Sequence, residues 1–244
     1  MKRKELKPED RLIVSIDVST RQQTISVCQN IANRVSTVKI GLELIYSQGL
    51  GILDTVKSFG YNIMLDSKLL DIPNTVSGAC RAIAQIKPFA VTAHTLGGPR
   101  MISDAKAALE DASREDDQIA PMLFGVTVLT SLDDRDLGQM GIDKSYMEMV
   151  DSLVKMSLNA GIDGIVCSPR EAAGLRKKFG DDFYLITPGI RLAQDEKGDQ
   201  KRISTPGQAI ADGADFLVVG RSITTKDDVS SAIDLFLQEI ERAL

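Results

Sequence analysis

No apolar run in this chain approaches the roughly 18 residues that a bilayer-spanning helix needs, so the sequence predicts no membrane span. The amino terminus is charged and then enters a short apolar run, Leu12 to Ile16. A secretory leader needs a longer apolar stretch and a small-residue cleavage site, and none is expected here. Cysteine is scarce: Cys28, Cys80 and Cys167 are widely separated and sit in apolar surroundings. An odd, scattered set has no metal-ligand spacing and predicts core thiols in a reducing cytoplasm. Positive charge is not in excess either, since 29 Lys and Arg against 34 Asp and Glu leave a formal net charge of -5. That balance argues against a general nucleic-acid-binding surface and leaves room for a local basic pocket. Histidine occurs once, at His94. Without a recognisable partner it is expected to be a hydrogen-bonded structural residue rather than an acid or base.

What is present is regular. The chain has 244 residues, 43% hydrophobic and 26% charged, with 19 Gly and 8 Pro, an ordinary globular composition. Short apolar runs rich in Val and Ile alternate with longer amphipathic segments. The runs are Leu12–Asp17, Thr37–Gly41, Asn62–Asp66, Ala90–His94, Met122–Val128, Gly164–Cys167, Phe183–Thr187 and Phe216–Gly220. Helix-like stretches between them include Thr20–Arg34, Leu50–Phe59, Asn74–Ile86, Pro99–Arg114 and Ser145–Asn159. Strands of nearly continuous hydrophobicity are buried on both faces, as in a parallel sheet covered by helices. Repetition to eight units without a break in composition predicts an α/β fold, a single (β/α)8 (TIM) barrel forming one catalytic domain over residues 1–244. Gly60, Gly161, Gly180 and Gly213 each follow a helix-like run and precede a strand, where a left-handed helix stop is expected. An open doubly wound sheet would place a glycine-rich nucleotide loop after the first strand, and Asp17-Val18-Ser19-Thr20 is not one.

In such barrels chemistry sits at the carboxyl ends of the strands. There the sequence sets Asp66, Lys68 and Asp71 around the end of the third strand, and Lys39 near the end of the second. Alternation along an extended chain puts Lys68 on the same side as Asp66. Asp71 follows in the loop that opens the next helix, whose first turn suits Pro73. The expected result is a row of alternating charges: Lys39, Asp66, Lys68, Asp71. As a mere stabiliser the row is poor, because desolvation offsets most of the attraction. At about 4 Å, unit charges interact by roughly 4 kcal/mol at an effective dielectric near 20, enough to place Lys68 as a proton donor.

Asp66-x-Lys68-x-x-Asp71-Ile72-Pro73-Asn74-Thr75 resembles the signature of the orotidine 5'-phosphate decarboxylase family. The likeness runs over essentially the whole chain, from Ser15-Ile16-Asp17 to Val219-Gly220-Arg221. The Asp-x-Lys-x-x-Asp core is shared with related sugar-phosphate barrels, and the Ile-Pro-Asn-Thr extension is the specific part. Ser67 and Leu70 depart from the pattern, standing where an apolar residue and often His are expected. Neither is expected to point at the charged row, so only local packing is affected. The resemblance implies conversion of orotidine 5'-phosphate to uridine 5'-phosphate and carbon dioxide without metal or cofactor. It implies that Asp17 and Lys39 hold ribose hydroxyls, that Asp66 faces the scissile carboxylate and that Lys68 protonates C6. Ile72 counts among the substrate-binding positions. It further implies a homodimer with shared sites, in which Asp71 and Thr75 reach into the partner's site.

The ends of strands seven and eight carry Thr187-Pro188-Gly189-Ile190-Arg191 and Gly220-Arg221-Ser222-Ile223-Thr224. Glycine lets backbone amides approach an anion, arginine offers a two-pronged fork, and a following helix start adds its positive end. Phosphate binding by Arg191, Gly220 and Arg221 is expected. The polar loop from Leu192 to Arg202 is longer than usual and reads as a lid or binding loop, in which the resemblance gives Gln200 the bridge between phosphate and base. Thr130 would contact the pyrimidine edge, with Ser131 as a substitute. Two other functions compete: a metal-dependent sugar-phosphate decarboxylase or synthase of the same superfamily, and a non-catalytic nucleotide-binding barrel. The motif extension and the paired Gly/Arg elements oppose the first, and Lys68 between two aspartates opposes the second.

Overall fold

The computed structural model describes residues 5–115, 117–193, 195 and 203–244. Eight parallel strands close in chain order: β1 (Leu12–Ile16), β2 (Thr37–Gly41), β3 (Asn62–Leu69), β4 (Ala90–His94), β5 (Met122–Val126), β6 (Gly164–Val166), β7 (Tyr184–Pro188) and β8 (Phe216–Val219). Closure is made by β8 pairing with β1, with Leu217 beside Leu12 and Val219 beside Val14. The helices, in chain order, are α1 (Pro8–Arg11), α2 (Arg21–Ile31), α3 (Leu42–Gln48), α4 (Ile52–Lys57), α5 (Pro73–Ile86), α6 (Gly98–Glu115), α7 (Asp134–Gln139), α8 (Tyr146–Asn159), α9 (Pro169–Phe179), α10 (Pro206–Ala211), α11 (Arg221–Thr224) and α12 (Val229–Arg242). The (β/α)8 barrel expected from the sequence is therefore observed, with strand and helix ends displaced by a few residues. Among the described residues no helix is long and apolar enough to cross a membrane.

Period-two alternation sorts the strand residues into two cores. Ile13, Met64, Ala90, Phe124, Ile186, Phe216 and Val218 turn inward, with Leu6 beside them. Leu12, Val14, Val38, Ile40, Leu65, Val91, Leu123, Leu185 and Leu217 turn outward against the helices. Burial on both faces is why the strands read as unbroken apolar runs. Gly164 makes room for the inward Phe124 ring, since a Cβ there would lie 2.4 Å from Phe124 Cε1. Phe216 packs edge-on against both Phe89 and Phe124.

Two carboxylates lock the amino-terminal end of the barrel. Asp163, just before β6, accepts the Leu123 backbone N–H at 2.7 Å and pairs with Lys106 at 2.7 Å. Asp215, just before β8, accepts the Leu185 N–H at 2.8 Å and pairs with Arg176 at 2.5 Å. Each fixes the register of the strand next to it while its charge is neutralised by a neighbouring helix. The three cysteines are buried free thiols, as expected. Gly60, Gly161, Gly180 and Gly213 all take positive φ, between 79° and 97°.

The main departure lies in β3. The sequence ends this strand at Asp66, but it continues to Leu69 through an irregularity. Leu65 pairs with Val91 and Leu69 with Ala93, so three residues of β3 face one of β4. Within this bulge Lys68 takes a left-handed φ of 48°. Simple alternation is thus not what brings Lys68 back to Asp66; the bulge re-aims it.

Candidate active site

The inward residues at the carboxyl ends of the strands form a cleft in two joined parts. The larger, about 510 Å³, is polar and lies among Asp17, Lys39, Gly189, Arg191, Gly220 and Arg221. The smaller, about 150 Å³, is largely apolar and lies among Met64, Val126, Val128, Val166, Cys167 and Ile186. Lys39, Asp66, Pro188 and Val218 border both, so the two parts meet at the charged residues.

At that junction Asp66 is the hub. Its Oδ2 lies 2.6 Å from Lys68 Nζ and 3.4 Å from Lys39 Nζ. Its Oδ1 accepts the Thr92 hydroxyl at 2.9 Å. Lys39 also reaches Asp17 Oδ1 at 3.2 Å, and Ser15 donates to Asp17 Oδ2 at 2.8 Å. Burial alone would push the Asp66 carboxyl up. Lys39, Lys68 and the hydrogen bonds from Lys68 and Thr92 outweigh it, holding the group below the ordinary aspartate range. Three of the four charges expected in the row are therefore together. The fourth is not: Asp71 is exposed, accepts the Ile72 backbone N–H and makes no ion pair among the described residues. Ile72 and Thr75 are exposed too, and neither lines the cleft of its own chain.

The polar half has the makings of an anion cradle. Gly189 holds a φ of 84°, and a Cβ on Gly220 would sit 3.3 Å from Asp17 Oδ2. Arg191 Nε is buried without a hydrogen-bond partner among the described residues, a donor left over beside the cleft. Arg221 opens α11 at the rim. The helix following β8 is, however, one turn of four residues. It is too short for the positive helix end expected from the sequence, so arginine and backbone amides must hold the anion. Gln200 lies outside the described residues.

Thr130 and Ser168 line the apolar half, as does Cys167. Burial pushes the Cys167 thiol up to about 12, leaving a neutral wall rather than a nucleophile. Ser131 is exposed and is not among the lining residues.

His94 corrects an expectation. It is half-buried, and its Nδ1 has no hydrogen-bond partner among the described residues. Burial, then the Lys68 charge, push its imidazole below the ordinary histidine value against the pull of Asp66. It stands in the barrel mouth as a neutral ring rather than as a hydrogen-bonded pillar.

This geometry has close relatives. Residues 10–236 match the model of the Orotidine 5'-phosphate decarboxylase / HUMPS family. The chain belongs to that family. An orotidine 5'-phosphate decarboxylase of Coxiella burnetii is 41% identical over 235 residues, covering 96% of this chain and 98% of that one. One from Actinobacillus succinogenes is 40% identical over 225 residues, covering 92% and 95%. The crystal structure of orotidine 5'-phosphate decarboxylase from Lactobacillus acidophilus superposes with a TM-score of 0.84 at 35% identity, covering 95% of this chain and 99% of that one.

Within this member of the family, three supports escaped the sequence reading. Thr92, buried on β4, holds Asp66. Tyr146 Oη lies 2.8 Å from the buried Glu171 and 3.3 Å from the Val128 carbonyl, tying α8 and α9 to the strand end that leads to Thr130. Asp195 is bonded by Lys226, Ser222 and the Leu192 N–H, which pins the start of the long loop beside Arg221. Only the second had a legible cue, the Ser168-x-x-Glu171 capping box. Of the two motif departures, Ser67 donates to the Thr92 carbonyl at 3.5 Å inside the bulge and Leu70 is exposed. Neither joins the charged row, in line with the expectation.

Proposed function

We propose that this chain is an orotidine 5'-phosphate decarboxylase, a cytoplasmic carboxy-lyase of pyrimidine (UMP) biosynthesis, and that residues 1–244 make one catalytic domain. The observation that carries this reading is Lys68 Nζ, 2.6 Å from Asp66 at the junction of a polar and an apolar half-cleft. A nucleotide has the same two halves. Its phosphate suits Arg191, Arg221 and the backbone at Gly189 and Gly220. Its ribose hydroxyls suit Asp17 and Lys39, and its pyrimidine edge suits Thr130 within the apolar walls.

Decarboxylation breaks the bond between C6 and the carboxylate, and the electron pair stays on C6 as carbon dioxide leaves. That pair lies in the plane of the ring, where the π system does not delocalise it. Fixed charge and a nearby proton must take over that stabilisation. Lys68 supplies both: its ammonium faces the developing carbanion and its proton goes to C6, leaving a neutral amine that solvent reprotonates. Asp66 orients Lys68 and opposes the substrate carboxylate, while Lys39 keeps Asp66 ionised. Binding energy gathered at the distant phosphate orders the ring against this pair. Asp71 and Thr75, exposed on their own chain, complete the site of a second copy in a two-fold dimer.

The family description spans more than one reaction, whereas the named relatives at about 40% identity are orotidine 5'-phosphate decarboxylases. The deciding assay follows the absorbance of orotidine 5'-phosphate with purified protein, with and without a chelator. Turnover that a chelator leaves intact is expected. No turnover sinks the reading, and turnover abolished by the chelator favours the metal-dependent alternative.

A further inference from the structure

The bulge in β3 creates two local problems that one side chain on β4 resolves. Lys68 sits at φ 48°, a conformation that costs a side-chain-bearing residue energy and persists only where the surroundings enforce it. The register shift between Leu65 and Leu69 also removes the ordinary ladder partner from the Lys68 backbone N–H. Thr92 Oγ1 accepts that N–H at 2.9 Å. The same hydroxyl donates its only proton to Asp66 Oδ1 at 2.9 Å. The direction of both bonds is fixed, since an amide N–H cannot accept and an ionised carboxylate has no proton to give.

The consequence is directional. With Oδ1 held by Thr92, Asp66 presents Oδ2 to both ammonium groups, Lys68 at 2.6 Å and Lys39 at 3.4 Å. Thr92 is fully buried and stiff at χ1, so the hydroxyl is a fixed post rather than a mobile partner. Period-two alternation from the inward Ala90 puts Thr92 and His94 on the barrel's inner face.

We infer that Thr92 is a positioning residue for the reaction: its hydroxyl ties the Lys68 backbone to the Asp66 carboxylate and so fixes the proton donor relative to the reacting carbon. It acts through Asp66 and Lys68 and does not itself contact the nucleotide. The inference rests on the proposed roles of those two residues.

Thr92→Val keeps the shape and removes the hydroxyl; Thr92→Ser keeps the hydroxyl. In the full-length protein Val is expected to lower kcat about ten- to a hundredfold, the scale of a small misplacement, with KM and uridine 5'-phosphate affinity changed less than about threefold. Ser is expected to restore kcat to within about threefold of the parent, because the tie returns with the hydroxyl. A second readout is the acid limb of kcat/KM. The groups facing Asp66 are Lys39 on β2, Lys68 on β3 and Thr92 and His94 on β4, with Asp17 beyond Lys39. Loss of the Thr92 hydrogen bond removes one cause that lowers the Asp66 carboxyl, so this limb should move to higher pH. Thr92→Ala gives the same readouts should the Val protein fail to fold. A Val or Ala protein with parental kcat and acid limb overturns the inference. So does an equal loss in the Ser protein, which would make the hydroxyl irrelevant. Lys68→Ala, assayed alongside, separates the two claims. If it is inactive while Thr92→Val is unimpaired, only the role of Thr92 falls; if it is active, the proton-donor reading falls first.

Discussion

The two ends of this barrel use the same chemical groups to opposite ends. At the amino-terminal end, Asp163 and Asp215 each hold a cation of a neighbouring helix and a backbone N–H of a neighbouring strand. At the carboxyl end, Asp66 serves two ammonium groups, Lys68 is held in a left-handed conformation, and His94 and Arg191 keep buried nitrogens without hydrogen-bond partners among the described residues. The floor therefore spends its charges on register. The mouth holds charge, strain and unused donors in readiness, which is the pattern of a site whose interactions are completed by a ligand. Charge burial alone does not distinguish the two; the state of the surrounding donors does.

The comparison can be broken most severely at Lys68. Lys68→Ala should lower kcat by about a thousandfold or more, since it removes the proton donor and a central charge. Its melting temperature should stay near the parent's, because a strained, half-exposed residue is lost. Turnover above about a tenth of the parental rate would end the proposed role. The same variant tests the shared site. Mixed with Asp71→Ala protein and allowed to exchange, half the dimers should carry one intact site, restoring up to about a quarter of parental activity. If exchange is verified and nothing returns, Asp71 serves its own chain.

At the floor the expected signature is reversed. Asp215→Ala takes the acceptor from the Leu185 N–H and the buried carboxylate from Arg176, which keeps the Gly213 and Phe183 carbonyls, and should cost about 3–5 kcal/mol of stability in denaturant titrations. The kcat of the remaining folded protein should be unchanged. A loss of kcat without a loss of stability would erase the contrast between the ends. The smallest effect belongs to the rim. Arg221→Ala should weaken orotidine 5'-phosphate binding by about 1.5–3 kcal/mol, as a charge-assisted contact predicts. Turnover of orotidine, which lacks the phosphate, should suffer far less; an equal loss for both would remove Arg221 from the anion cradle.

Much of this was legible in the sequence because barrel strands announce themselves. Runs such as Leu12–Ile16 and Phe216–Val219 are apolar on both faces, and each glycine stop falls where a helix must turn back. Asp66, Lys68 and Lys39 were legible because charge at the end of such a run has few structural uses. The bulge was not, since nothing in Asp66-Ser67-Lys68-Leu69 distinguishes a bulged strand from its end. Thr92 was equally hidden: threonine is an ordinary strand residue, and only the neighbouring strand gives its hydroxyl a task. His94 misled for the opposite reason, because a lone histidine suggests a satisfied core residue, whereas burial and then the Lys68 charge push its imidazole down. Asp71 and Thr75 are exposed on this chain, and the shared site proposed for them rests on the family resemblance alone.

The seam between β8 and β1 has a consequence for how the protein comes into being. Ser15 lies in the first strand and Asp17 follows it, Gly220 and Arg221 follow the last, and Gly220 packs against Asp17 across the seam. Residues synthesised some two hundred positions apart thus share one wall of the cleft. Across the outside of the same seam, Arg34 donates to Ser230 at 2.9 Å and pairs with Asp234 of α12. A nascent chain still lacking its eighth strand already holds Lys39, Asp66 and Lys68, yet has no wall to bring a nucleotide to them. The polar wall of the cleft is therefore complete only once the last strand has paired with the first.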